Sequence, residues 1–193
     1  MRNVLNLIRV LDNPLQDIPF AAALQSPIGG FDYNDLSMLR ILAAELAGGG
    51  KTDYLYQVLL KLRDMEYVKE CYYGIREKGN AFLDLLAYLR KKKLYLSVPQ
   101  LITELYRVTG NLSYVSVMPA GIVRERNLNM LVEKAKAFAG GLNTELSDFV
   151  RYIDDMIRYD ANPEPELSEN GNAVRVMTIH KSKGLEFPIV FLI

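Results

Sequence analysis

A single cysteine, Cys71, among 193 residues leaves no intramolecular disulfide framework and no cysteine-rich zinc or iron–sulfur site within this chain. Such usage fits a reducing cytosol, so a cytoplasmic protein is expected. No stretch reaches the roughly 18 apolar residues that a membrane helix needs. The opening Met1-Arg-Asn-Val-Leu-Asn-Leu-Ile8 enters a helical pattern at once, without the apolar run and small-residue cleavage site of a signal peptide. No membrane partner is expected. Net charge is missing too: 23 basic residues face 23 acidic ones, so total charge gives no argument for nucleic acid. The charge is local instead. From Tyr88 to Lys136, nine Lys/Arg stand against three acids, whereas from Glu145 to Asn170 eight acids stand against two arginines. With half its residues apolar and 24% charged, the chain has the composition of a globular domain.

Up to about Tyr159 the apolar period is helical. Leu36, Leu39, Ala43 and Leu46 recur at three- and four-residue steps after Asn34, the expected N-cap, and Gly48-Gly49-Gly50 stops that helix. Ser97-Val-Pro-Gln100 has the form of a capping box, opening a helix through Leu101, Leu105 and Val108 that ends at Gly110. Leu146, Phe149, Val150, Ile153, Met156 and Ile157 form a further stripe after Thr144. More helices are expected over about 3–11, 53–65, 77–92 and 122–139, the last closed by Gly140-Gly141. Residues 160–172 are polar, carry two prolines and lack a period, as a linker does. Beyond them, 173–179 and 189–193 are short runs rich in β-branched residues that read as strands, the second buried on both faces. The chain stops inside that apolar run, as a piece cut from a longer protein would.

Between those runs lies the densest chemistry. Thr178, His180, Lys181 and Lys183 lead into a turn at Gly184, and hydroxyl, imidazole and ammonium donors beside a permissive glycine suit phosphate oxygens. Glu186, the one carboxylate there, can accept hydrogen bonds from sugar hydroxyls. Taken alone, the histidine reads rather as a surface residue of a structural β-turn with a solvated lysine pair. As a string, Thr178-Ile-His-Lys-Ser-Lys-Gly-Leu-Glu-Phe-Pro188 resembles motif V of superfamily-1 helicases of the UvrD/PcrA type, matching each fixed position of Thr-x-His-x-x-Lys-Gly-Leu-Glu-Phe-Pro. The resemblance implies that Thr178, His180 and Lys181 face the DNA backbone and that Gly184 and Glu186 face the nucleotide.

A second similarity lies near the start. Asp12-Asn-Pro-Leu-Gln-Asp-Ile-Pro19 and Ser26-Pro-Ile-Gly-Gly-Phe31 look like the exit from the second motor domain into an inserted helical accessory domain, in wording closest to the AddA (RexA) helicase–nuclease family. Related helicases carry an Arg-Gly-Ile-Gly turn that touches duplex DNA. Here Ile28-Gly29-Gly30-Phe31 stands without the arginine, and a structural helix-to-helix turn serves the same residues as well. The layout implied is mainly α: motor-domain helices ending at 1–31, a helical accessory domain over 32–159, a linker over 160–172, and motor-domain strands of a RecA-like α/β fold over 173–193.

Within the accessory domain, Arg90, Lys91, Lys92 and Lys93 could hold DNA phosphates without reading sequence. Cations at a helix C-terminus are also stabilised by the macrodipole, so a solvated helix end is the other reading. Tyr72, Tyr73, Tyr88, Tyr95 and Tyr106 could stack on bases, or serve mostly as core and boundary aromatics.

Gly48-Gly-Gly-Lys-Thr52 ends like a Walker A loop but fails its spacing, because Glu45 stands where the first glycine belongs and a helix precedes it instead of a strand. No Asp-Glu pair on an apolar strand, arginine-finger segment or nuclease cluster is present. The resemblance therefore implies a parent that uses ATP and Mg²⁺ to move 3′ to 5′ on DNA, single-stranded and duplex, as a helicase and exonuclease of double-strand-break repair by recombination. Its partner would be a second helicase–nuclease subunit of the AddB (RexB) type. The chain alone is expected to bind no cofactor or metal and to hydrolyse nothing. A helical module that binds a partner subunit is the alternative from a different class, since the charge split suits a protein surface equally.

Overall fold

The computed structural model describes residues 2–139, 145–159, 177–183 and 188–191. Contacts gather the chain into two units, Met1–Ala161 and Asn162–Ile193.

The first unit is helical throughout its described elements: α1 (Arg2–Asp12), α2 (Asp17–Gln25), α3 (Tyr33–Ala47), α4 (Leu55–Asp64), a 3₁₀ turn at Glu70–Tyr72, α5 (Tyr73–Lys93), α6 (Val98–Thr109), α7 (Asn111–Ser116), α8 (Gly121–Ala139) and α9 (Leu146–Tyr159). α1 is buried at Val4, Leu5, Leu7, Ile8, Val10 and Leu11, more than one stripe, because it packs on α2, α5 and α9 together. The remaining helices follow in pairs, α3 on α4, α4 on α5, α5 on α6, and α6 on α8. At the centre Phe20 of α2 meets Tyr56 and Phe82 edge-on, with ring centroids 5.8 and 5.7 Å away. A second aromatic group joins Phe138 of α8 to Phe149 and Tyr152 of α9.

Local chemistry explains most boundaries. Gln100 Oε1 accepts from both the amide and the hydroxyl of Ser97, each at 3.0 Å, and α6 ends at Gly110 in the left-handed region (φ 61°). The expected cap of α3, Asn34, is corrected to Asp32. Asp32 accepts from the Asp35 amide at 2.8 Å while the Asp35 carboxylate accepts from the Asp32 amide at 3.0 Å. Two carboxylates near the positive end of the helix dipole favour that earlier start. Gly48 (φ 55°) closes α3. α5 begins four residues before the expected 77, after the 3₁₀ turn. The expected cap Thr144 and terminator Gly140-Gly141 lie outside the described residues.

Two α-helices of this unit were not anticipated. α2 tolerates Pro19 because it sits in the first turn, where its missing N–H is not needed. The side chain of Asp17 accepts from the Leu55 amide at 2.9 Å, so α2 caps the start of α4. α7 is a six-residue helix reached directly through Gly110.

In the second unit, Ile179–Ser182 is a short helix, α10, with the Ser182 amide donating to the Thr178 carbonyl at 3.1 Å. The strands expected over 173–179 and 189–193 are therefore corrected where they can be followed: 177–178 and 189–191 carry no strand, and Ile179 is helical. Ile189, Val190 and Phe191, expected to be buried on both faces, are 74, 66 and 84% exposed. A strand takes both its hydrogen bonds and its burial from a sheet, and no strand exists among the described residues to offer one.

Candidate nucleic-acid and nucleotide site

Thr178, His180 and Lys183 are brought onto or beside one helical turn and are exposed, with Lys181 in the backbone of the same turn. A helical turn rather than an extended strand thus presents the donors of this segment. Gly184 and Glu186, the two residues expected to face a nucleotide, lie outside the described residues. Among the described residues no cluster of three or more His, Cys, Asp or Glu could hold a metal ion.

The turn Ser26–Phe31 spends its amides on itself. Ile28 donates to Ser26 Oγ (3.2 Å), Gly29 and Gly30 to the Ser26 carbonyl (3.0 and 2.9 Å), and Phe31 to the Leu24 carbonyl (3.0 Å). A Cβ on Gly29 would lie 2.2 Å from the Leu24 carbonyl oxygen, so only glycine permits this return. With these amides engaged and no arginine, the turn is organised as a helix-to-helix joint.

The basic run at the end of α5 is divided by its helix. Arg90 turns inward: Nη1 donates to the Tyr56 hydroxyl at 3.0 Å, Nη2 to the Val10 carbonyl at 3.2 Å, and the guanidinium lies 5.2 Å from the centre of the Tyr56 ring. Lys93 reaches Asp12 of α1 at 3.4 Å. Lys91 is exposed, and the Lys92 ammonium sits 5.5 Å from the centre of the Tyr88 ring. The four cations expected to act as one patch are thus two structural and two outward groups.

Beside the outward pair lies a network that sequence reasoning missed. The Tyr88 hydroxyl donates to Glu104 Oε1, and Arg107 donates to both oxygens of Glu104 at 2.7 Å. Arg107 first, and then the Tyr88 hydroxyl, hold the Glu104 carboxyl far down, at about 2, so this acid stays ionised. The i,i+3 spacing of Glu104 and Arg107 was a legible signal; Tyr88 joins them only through the packing of α5 on α6. The other tyrosines sort by burial. Tyr72 and Tyr106 are core residues at 3% exposure, Tyr106 donating to the Leu128 carbonyl at 3.0 Å, and burial pushes both phenols up. Tyr73 and Tyr95 are exposed.

The Gly48–Thr52 segment ends a helix, as its spacing implied. Gly48 and Gly49 have positive φ, α3 precedes them, and the next element, α4, follows Tyr54.

The family model described as UvrD-like helicase C-terminal domain matches residues 1–193. Among similar proteins, one from Acetivibrio thermocellus, named as the A-type subunit of an ATP-dependent helicase/nuclease, is 40% identical over 191 residues, covering 98% of this chain and 14% of its own length. Proteins of the same name from Clostridium kluyveri and Clostridium beijerinckii are 36 and 34% identical over 202 and 197 residues, covering all of this chain and 16 and 15% of their own lengths. The chain therefore spans about one sixth of the length of the curated relatives it matches. No described helix is long and apolar enough to cross a membrane.

Proposed function

We propose, on the premise that this chain belongs to the UvrD-like helicase C-terminal domain family, that it is a piece of an ATP-dependent DNA helicase/nuclease whose Thr178–Pro188 segment couples nucleotide state to grip on DNA. The supporting observation is the ordered string Thr178-Ile-His-Lys-Ser-Lys-Gly-Leu-Glu-Phe-Pro188, set in a family match that covers the whole chain. Thr178, His180 and Lys181 would bind the backbone of single-stranded DNA; Gly184 and Glu186 would bind the nucleotide, Glu186 through the ribose. ATP supplies the driving force when bound with Mg²⁺. The sequence carries no Walker loop, and its described residues hold no metal cluster. The phosphate and metal ligands would therefore come from other parts of the parent protein, leaving the chain alone inactive. Lys91 and Lys92 would add phosphate contacts that read no sequence.

The whole parent protein, in this proposal, moves 3′ to 5′ on DNA, unwinds duplex, and serves exonucleolytic end processing in recombinational repair in the cytoplasm beside a second helicase–nuclease subunit. Changing Glu186 to Ala in the full-length protein is expected to weaken ATP-driven unwinding far more than DNA binding. Equal loss of both, or of neither, overturns the role given to Glu186.

A second function, docking of a partner subunit, is favoured by the corner between α7 and α8. There Val117 and Ile122 are 82 and 71% exposed. Absence of DNA binding by this chain at low salt would favour it.

A further inference from the structure

The outward side of α5 carries more than cations. Tyr88, Lys91, Lys92 and Tyr95 recur at three- and four-residue steps, opposite the buried Leu86. The stripe extends past the helix end because the Tyr95 amide still donates to the Lys92 carbonyl at 3.0 Å. It runs about 10 Å along the axis at the usual helical rise.

Each member is in a state suited to a polyanion. The Lys91 ammonium has no hydrogen bond or ion pair among the described residues. Lys92 rests against Tyr88, whose hydroxyl is fixed by Glu104. The nearby acids are occupied: Glu104 by Arg107, and Asp84, one turn back, by Arg63 at 2.9 Å. Tyr95, three and four residues beyond the two lysines, leaves 78% of its surface in water. The helix dipole accounts for lysines at a C-terminus. It gives no reason to expose an aromatic ring among them.

We propose that this stripe binds single-stranded nucleic acid, the phosphates against Lys91 and Lys92 and one base stacked on Tyr95. Duplex phosphates would use the cations alone, because paired bases are already stacked and offer no face to a ring. Unpaired bases offer that face, and stacking on an aromatic side chain is indifferent to sequence. The site deepens the assignment of this chain to a DNA motor and rests on it.

Fluorescence anisotropy of this 193-residue chain with a labelled oligothymidylate and with a blunt duplex of equal length, over a salt series without nucleotide, tests it. The strand is expected to bind more tightly than the duplex. Reversing both charges (K91E with K92E) should weaken strand binding about tenfold or more and flatten the salt dependence. Tyr95→Ser should weaken it about tenfold with the salt dependence kept, and Tyr95→Phe should restore it. Circular dichroism of each variant verifies that it remains folded. No strand binding, tighter duplex binding, or folded variants that bind as the parent does would each overturn the proposal. Folded variants that bind as the unaltered chain does overturn this stripe alone, whereas no strand binding at all would also count against the DNA contacts given to Thr178, His180 and Lys181.

Discussion

Arg90 meets Tyr56 twice, through a 3.0 Å hydrogen bond to the hydroxyl and through a guanidinium 5.2 Å from the ring centre. With its third contact to the Val10 carbonyl, this arginine ties α5 to α4 and α1. Replacing it with Met keeps the aliphatic stem and removes those bonds, so the chain should lose about 1–3 kcal/mol of stability. Met at Lys91 should leave stability nearly unchanged. Urea denaturation of the two variants measures the contrast, and equal midpoints would contradict the inward role of Arg90.

The return of the chain at Gly29 should be far less tolerant than its neighbour. Ala at Gly29 would force a Cβ to within 2.2 Å of the Leu24 carbonyl oxygen. Backbone must move, at a cost of about 2–4 kcal/mol. Gly30 has open space and only a positive φ of 69°, so Ala there should cost about 1–2 kcal/mol. Thermal melting of the two variants checks the order.

The Tyr88–Glu104–Arg107 network sets an acid limit. The Glu104 carboxyl falls from its ordinary 4.5 to about 2 when folded, because Arg107 and then Tyr88 bond its ionised form. A carboxyl depressed in the folded state contributes stability above its unfolded value and loses it as pH falls through the folded one. The network should therefore persist at pH 5 and disappear between about pH 4.5 and about 2. Carboxyl-carbon NMR of Glu104 against pH reports this directly. In the Arg107→Gln variant the titration should move back toward the ordinary carboxylate range.

Much of the helical unit was legible because local chemistry and tertiary packing agree in it. Ser97 and Gln100 open α6 as their spacing implies, and Gly48 and Gly110 close helices where a left-handed residue is needed. α2 was not legible, since Pro19 reads as a breaker unless its place in the first turn is known. The division of the basic run was present in the sequence but hidden by its charge. Leu86, Leu89, Arg90 and Lys93 continue one three- and four-residue stripe, and its first two members are buried. The strands at the end are a different matter. Period and β-branching describe what a segment can do in a sheet, but the sheet must come from elsewhere in the chain. Without it, 177–183 takes a helical turn and 188–191 stays irregular.

The most direct test of the coupling assigned to Thr178–Pro188 is the affinity of the full-length protein for single-stranded DNA, measured with a non-hydrolysable ATP analogue and again with ADP. The parent protein should show two distinct affinities, and His180→Ala should bring them together while nucleotide binding itself survives. A His180→Ala protein that keeps the full difference between the two nucleotide states would contradict the account.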